Sequence, residues 1–129
     1  MDNNIIKILV VDDEPDLTFG FSMTLEMEGF EVDTFNDPLI ALSNFKPNKY
    51  NLVLLDVKMP KMDGFTLYNE IKKRDAKANI CFLTASELYY EQFRKEEFCK
   101  LNKDLFIQKP IENQELIKRI NNILNKNDR

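Results

Sequence analysis

NLVLLDVKMPKMDG, residues 51–64, begins as a strand and ends as a loop, with one acid at the join. Residues 52–55 are apolar without a break, the pattern of a strand covered on both faces, as parallel sheets require. Asp56 follows at once, and the loop after it carries Pro60 and Gly64. A carboxylate where a buried strand emerges has three readings: a helix cap, a metal ligand, or a group that reacts.

Four other β-rich runs flank this one: IIKILVV (5–11), FEVDTF (30–35), NICFL (79–83) and DLFIQ (104–108). IIKILVV is almost continuously apolar, whereas FEVDTF alternates and fits an edge strand. Helical patterns lie between the runs. Leu17, Phe21 and Leu25 repeat every four residues, and Leu116, Ile117, Ile120, Ile123 and Leu124 form one apolar stripe near the end. Gly29 stands where a helix-ending glycine belongs, and Asp37-Pro38 reads as a cap followed by proline in the first turn. The order βαβαβαβαβα predicts an α/β fold with a parallel sheet and helices on both faces, because parallel strands need crossover connections.

The chain has 129 residues, is 43% hydrophobic and 31% charged, and carries a net charge of −4. That size suits one domain over residues 1–129, with little room for a second, and no output domain is expected in this chain. The mild acidity gives no basic face for nucleic acid or a membrane surface. The apolar runs are too short to span a bilayer, and the start MDNNIIKILVVDDE lacks the form of a signal peptide. Two cysteines, Cys81 and Cys99, are too few for a disulfide framework and fit reduced thiols in a cytoplasmic protein. There is no histidine. Ser-His-Asp and Cys-His catalysis and His-based zinc sites are therefore excluded.

Ligands of open parallel sheets bind beyond the carboxyl ends of the strands. Asp12, Asp13 and Glu14 follow strand one, Asp56 follows strand three, Thr84, Ala85 and Ser86 follow strand four, and Lys109 and Pro110 follow strand five. The acidic trio before Pro15 also reads as a helix N-terminus. That reading leaves a further carboxylate arriving from another strand. Like charges a few ångströms apart resist ionising, and a divalent cation relieves them. Oxygen donors without His or Cys point to Mg²⁺. The Lys109-Pro110 bond is a candidate cis peptide that would aim the ammonium across the rim. A cation, an ammonium and a hydroxyl around one carboxylate suit a phosphoryl group.

VVDDE (10–14), LLDVKMPKMDG (54–64), LTA (83–85) and QKP (108–110) together resemble the receiver domain of two-component response regulators, over essentially the whole chain. The resemblance implies a CheY-like, flavodoxin-like doubly wound sheet of five parallel strands in the order 2-1-3-4-5. It implies a switch that catalyses its own phosphorylation and dephosphorylation. Asp56 would accept a phosphoryl group from a sensor histidine kinase or phosphotransfer protein. Asp13 and Asp56 would bind Mg²⁺ directly with the backbone carbonyl of Lys58, and Asp12 would act through the metal's water shell. Lys109 would pair with the phosphoryl oxygens, and Thr84 would hydrogen-bond to them. Lys58 and Ser86 occupy the positions that tune phosphoryl lifetime.

Phe106 stands where the family usually carries Tyr or Phe three residues before the lysine. It is either a switch that swings between rotamers or plain core. The usual Gly-Ala turn before strand five is absent, and the distance from Thr84 to Lys109 is longer than is typical. A longer fourth helix over residues 87–101, with Tyr89, Tyr90, Phe93 and Phe98, would accommodate that. The face built from that helix, strand five and the last helix is the expected output surface, for a downstream protein target or a weak homodimer, the alternative being a monomer. Rival readings are an interaction-only receiver, a Mg²⁺-dependent aspartyl-nucleophile phosphatase, and a flavin-binding protein. Lys58 stands where such a phosphatase needs a second acid, and Asp12-Asp13-Glu14 would repel a flavin phosphate.

Overall fold

The structure, a computed structural model, describes residues 5–84 and 105–127. Its elements in chain order are β1 (Lys7–Val11), α1 (Pro15–Met27), β2 (Glu31–Phe35), α2 (Pro38–Asn44), β3 (Leu52–Asp56), α3 (Gly64–Arg74), β4 (Ile80–Thr84), β5 (Phe106–Gln108) and, after it, α4 (Asn113–Asn127). The strands form one sheet in the order β2-β1-β3-β4-β5, and every pairing is parallel. The expected α/β fold and strand order are therefore present, with FEVDTF on the edge. The fourth helix expected over 87–101 lies outside the described residues, as do Ser86 and Cys99.

Alternation along the strands divides the interior into two layers. Leu9, Val11, Val53, Leu55 and Phe82 face α2 and α3, where Ala41, Phe65, Leu67 and Ile71 meet them. Ile8, Val10, Leu54 and Leu83 face the other way, onto Phe21 and Leu25 of α1 and Leu116, Ile120, Ile123 and Leu124 of α4. The residues of β3 and β4 are buried throughout, as strands covered on both faces must be. The buried row of α1 is Thr18, Phe21 and Leu25, so Leu17 flanks the core only partly buried.

Local signals set the element ends. Asp37 caps α2, its carboxylate accepting the Leu39 and Ile40 N–H groups at 2.8 and 3.2 Å. Asp63 caps α3 by accepting the Thr66 N–H at 2.8 Å. Gly29 follows α1 with φ of +95°, a conformation that suits glycine. Strands three and four run one residue further than the apolar runs predict. Asp56 pairs with Leu83 and Thr84 with Gln108, so both are last strand residues rather than first loop residues. The cause is continued pairing: the Val57 N–H donates to the Leu83 carbonyl at 2.9 Å, and the Lys109 N–H to the Thr84 carbonyl at 2.7 Å.

Candidate functional site

The carboxyl ends of β1 and β3, neighbours at the sheet's centre, bring the acids together. Asp12 and Asp56 are buried, Asp13 is half-buried, and one carboxylate oxygen from each lies within 4.8 Å of the others. Asp12 is held on both oxygens. Oδ1 accepts the Glu14 N–H at 2.9 Å, and Oδ2 accepts from Lys109 Nζ at 2.9 Å. Lys109 also lies 3.3 Å from Glu14 Oε1 and 3.3 Å from Asp56 Oδ1. One ammonium thus serves three carboxylates from two chain segments. It reaches them from the residue just beyond β5, across β4, and the Lys109-Pro110 bond is cis as expected.

The charges are poorly balanced. Burial pushes the Asp56 carboxyl up to about 7, the Asp12 charge adds to that, and Lys109 only partly opposes it. Asp12 is also raised, chiefly by burial, against the Glu14 N–H and Lys109. Burial alone would lower Lys109, but its hydrogen bond and charge contacts with Asp12, and the Asp56 charge, prevail and hold it above the ordinary lysine range. The pocket therefore favours a proton or another cation beside Asp56. Its donors are all oxygens, and the excess charge is negative. Both properties fit Mg²⁺, with Asp12, Asp13 and Asp56 as the residues able to hold it.

Gly64 lets the chain after Asp56 pack directly against the end of β3. A Cβ there would lie 2.2 Å from the Asp56 carbonyl oxygen and 3.1 Å from Val57 Cα. The Gly64 N–H donates to the Val57 carbonyl at 2.9 Å. The loop 57–63 thus closes back on the end of β3, which only a residue without a side chain permits. Within this loop Met59 is buried in the core and Lys58 is exposed.

Thr84 is buried at the end of β4, the strand between those leading to Asp56 and Lys109. Phe106 is buried, its ring stacked on Phe82 with centroids 5.2 Å apart and planes at 22°. In this structure the ring packs in the core, which both expected readings allow. Ser86 lies outside the described residues. Glu14, which the sequence places after strand one as part of a helix start, also pairs with Lys109. One further participant, Asn36, carries no functional signal in the sequence. Asn36, at the end of the edge strand, binds the Asp12 backbone at 2.8 Å.

Residues 8–121 match the response regulator receiver domain family. Among curated relatives, the chain is 41% identical over 118 residues to the transcriptional regulatory protein CpxR homolog of Haemophilus influenzae, covering 92% of this chain and 50% of that protein. It is 33% identical to the alkaline phosphatase synthesis transcriptional regulatory protein PhoP of Bacillus subtilis, covering 95% of this chain and 50% of that protein. The chain thus spans about half the length of these relatives. Among solved structures, it resembles the response regulator protein TrrA of Thermotoga maritima in complex with Mg(2+)-BeF, with a TM-score of 0.77, 31% identity, and coverage of 92% of this chain and 99% of that one. A CheY-like receiver domain protein of Methanospirillum hungatei gives a TM-score of 0.79 at 26% identity, covering 97% of this chain and 98% of that one. The parallel sheet, the acids at its centre and the matched residues together identify this chain as a member of the response regulator receiver domain family.

Proposed function

We propose that the chain is a phosphoacceptor switch in which Asp56 takes a phosphoryl group from a phosphohistidine on a sensor histidine kinase or phosphotransfer protein. One observation carries this reading. Asp56 is buried at the centre of the rim, within 4.8 Å of Asp12 and Asp13 oxygens and 3.3 Å from the Lys109 ammonium. A carboxylate spent only on stability gains nothing from that crowding.

The Asp56 carboxylate oxygen attacks phosphorus in line, the P–N bond to the donor imidazole breaks, and an acyl phosphate forms on Asp56. Attack requires the ionised carboxylate, so Lys109 matters before the reaction as well as after it. Its ammonium lies beside Asp56 and lowers the cost of the charge. Asp12 and Asp13 would hold Mg²⁺ with Asp56, Asp12 through the metal's water shell, and the Lys58 main-chain carbonyl would add a further oxygen. When bound, the cation would neutralise charge developing on the phosphoryl oxygens.

The product carries about −1.5 to −2 charges where a single carboxylate stood. Lys109, now shared among Asp12, Glu14 and Asp56, would turn to the phosphoryl oxygens, and the Thr84 hydroxyl would hydrogen-bond to them. Those shifts would bias two preexisting conformations, with Phe106 as the ring that answers Thr84 from the next strand. A downstream protein target would read the face that includes β5 and α4. Lys58 and Ser86 would set how long the phosphoryl group lasts.

Beryllofluoride with Mg²⁺ tests the reading. Amide shifts are expected at Asp56, Thr84 and Lys109 and along β5, and Asp56→Asn should abolish them. Shifts confined to other regions would overturn the reading.

A further inference from the structure

The acidic arm needs something to hold it. Asp12 and Asp13 lie between β1 and α1, and Glu14, the N-cap residue of α1, makes no side-chain capping bond. Instead the arm is held from the end of β2. The Asp12 N–H donates to the Phe35 carbonyl at 3.1 Å, and the next residue, Asn36, donates Nδ2 to the Asp12 carbonyl at 2.8 Å. The same amide donates to Thr18 Oγ1 at 2.9 Å, and that hydroxyl donates to the Pro15 carbonyl at 3.1 Å. Thr18 is buried on the inner face of α1. One amide group therefore ties both ends of the segment that carries Asp13 and Glu14.

The turn from which Asn36 reaches is itself anchored. Asp37 caps α2 and pairs with Lys61 at 2.6 Å, which links it to the loop after Asp56. We propose that Asn36 is a positioning residue. It holds the Asp12–Asp13 arm at the separation from Asp56 that a divalent cation bridges. This inference rests on the reading of the site given under Proposed function. The chemistry requires an amide. Two hydrogens on one nitrogen satisfy a carbonyl and a hydroxyl at once, whereas a carboxylate of the same shape offers no donor to either.

Mg²⁺ titration followed by backbone amide shifts, for wild type, Asn36→Ala and Asn36→Asp, tests the inference. Asn36→Ala is expected to weaken Mg²⁺ binding about tenfold or more, as loss of a partner supporting metal ligands does. Its melting temperature in chelator should fall by about 4–10 °C, the cost of two lost hydrogen bonds. Asn36→Asp should also weaken binding, although its added negative charge would tighten it if attraction alone governed affinity. The free Asn36→Ala protein should show shifted Asp12 and Asp13 amides beside unshifted Lys58 and Met59 amides, a signature general destabilisation would not give. A loss of affinity clearly smaller than about tenfold in Asn36→Ala, or tighter binding in Asn36→Asp, overturns the role of Asn36. If wild type itself shows no Mg²⁺-dependent shifts at Asp12, Asp13 and Asp56, the reading of the site fails, and this inference fails with it.

Discussion

Two aspartates on this sheet, each beside a lysine, are in opposite condition. Asp33 lies on the edge strand, where its Oδ2 accepts the Tyr50 hydroxyl at 2.7 Å and lies 3.2 Å from Lys49. Its carboxyl is held below the ordinary range, first by the Tyr50 hydrogen bond and also by Lys49. Asp56 lies on a central strand with Lys109 at 3.3 Å, and its carboxyl is pushed up to about 7 by burial and the Asp12 charge. A lysine at similar distance does not decide the outcome. Solvent access and neighbouring charge do. Asp33 is a satisfied group that ties β2 to Tyr50 before β3, and Asp56 is a buried, crowded one with the raised carboxyl that functional sites favour.

The largest expected effect comes from Gly64→Ala. The new Cβ would strike the Asp56 carbonyl, a backbone atom that cannot yield without moving β3 or α3. Destabilisation of more than about 3 kcal/mol is expected by chemical denaturation, with Asp56 amide shifts displaced and Asp33 amide shifts unchanged.

Neutralising the two aspartates should have opposite signs. In chelator near neutral pH, Asp56→Asn is expected to stabilise the protein by about 1–3 kcal/mol, because it removes a buried charge beside Asp12. Asp33→Asn should destabilise it by about 0.5–1 kcal/mol, the side chain being partly exposed and its ion pair screened. Linkage gives the pH windows. The raised Asp56 carboxyl contributes stability in full below its unfolded-state value near 4 and loses it as pH rises through about 7. The lowered Asp33 carboxyl contributes above that unfolded-state value and loses it as pH falls. The gain from Asp56→Asn should therefore shrink on going from about pH 8 to about pH 5.5, as melting curves would record.

If Asp56 holds Mg²⁺ as proposed, protons and the cation would compete for it. Affinity for Mg²⁺, measured by calorimetry, should fall about three- to tenfold between about pH 8 and about pH 6. The smallest effect is expected at Tyr50→Phe, which deletes the Asp33 hydrogen bond but keeps the ring against Phe45. A loss of about 0.5–1 kcal/mol in thermal unfolding, with Mg²⁺ affinity unchanged, would keep the two aspartates independent.

The sheet and its rim were legible because apolar runs and helix punctuation are local signals. NLVLL and IIKILVV declare buried strands by composition, and Asp37-Pro38 and Gly29 mark helix ends by stereochemistry. The grouping of Asp12, Asp13, Asp56, Thr84 and Lys109 at one rim followed from parallel topology. The ends of β3 and β4 were less legible, because pairing with a neighbouring strand extends them and a polar residue gives no sign of it. Asn36 was invisible for a similar reason. A polar residue before a turn looks solvated in sequence, and only the fold brings its amide to the Asp12 carbonyl. Phe106 kept two readings because composition does not distinguish a ring that stacks from one that also moves.

Intact mass after incubation with acetyl phosphate compares the two carboxylates in a single reading. One added phosphoryl group is expected on wild type and on Asp33→Asn when Mg²⁺ is present, and none on Asp56→Asn. Wild type without an adduct, or an adduct that survives in Asp56→Asn, would contradict the assignment of Asp56 as the phosphoacceptor.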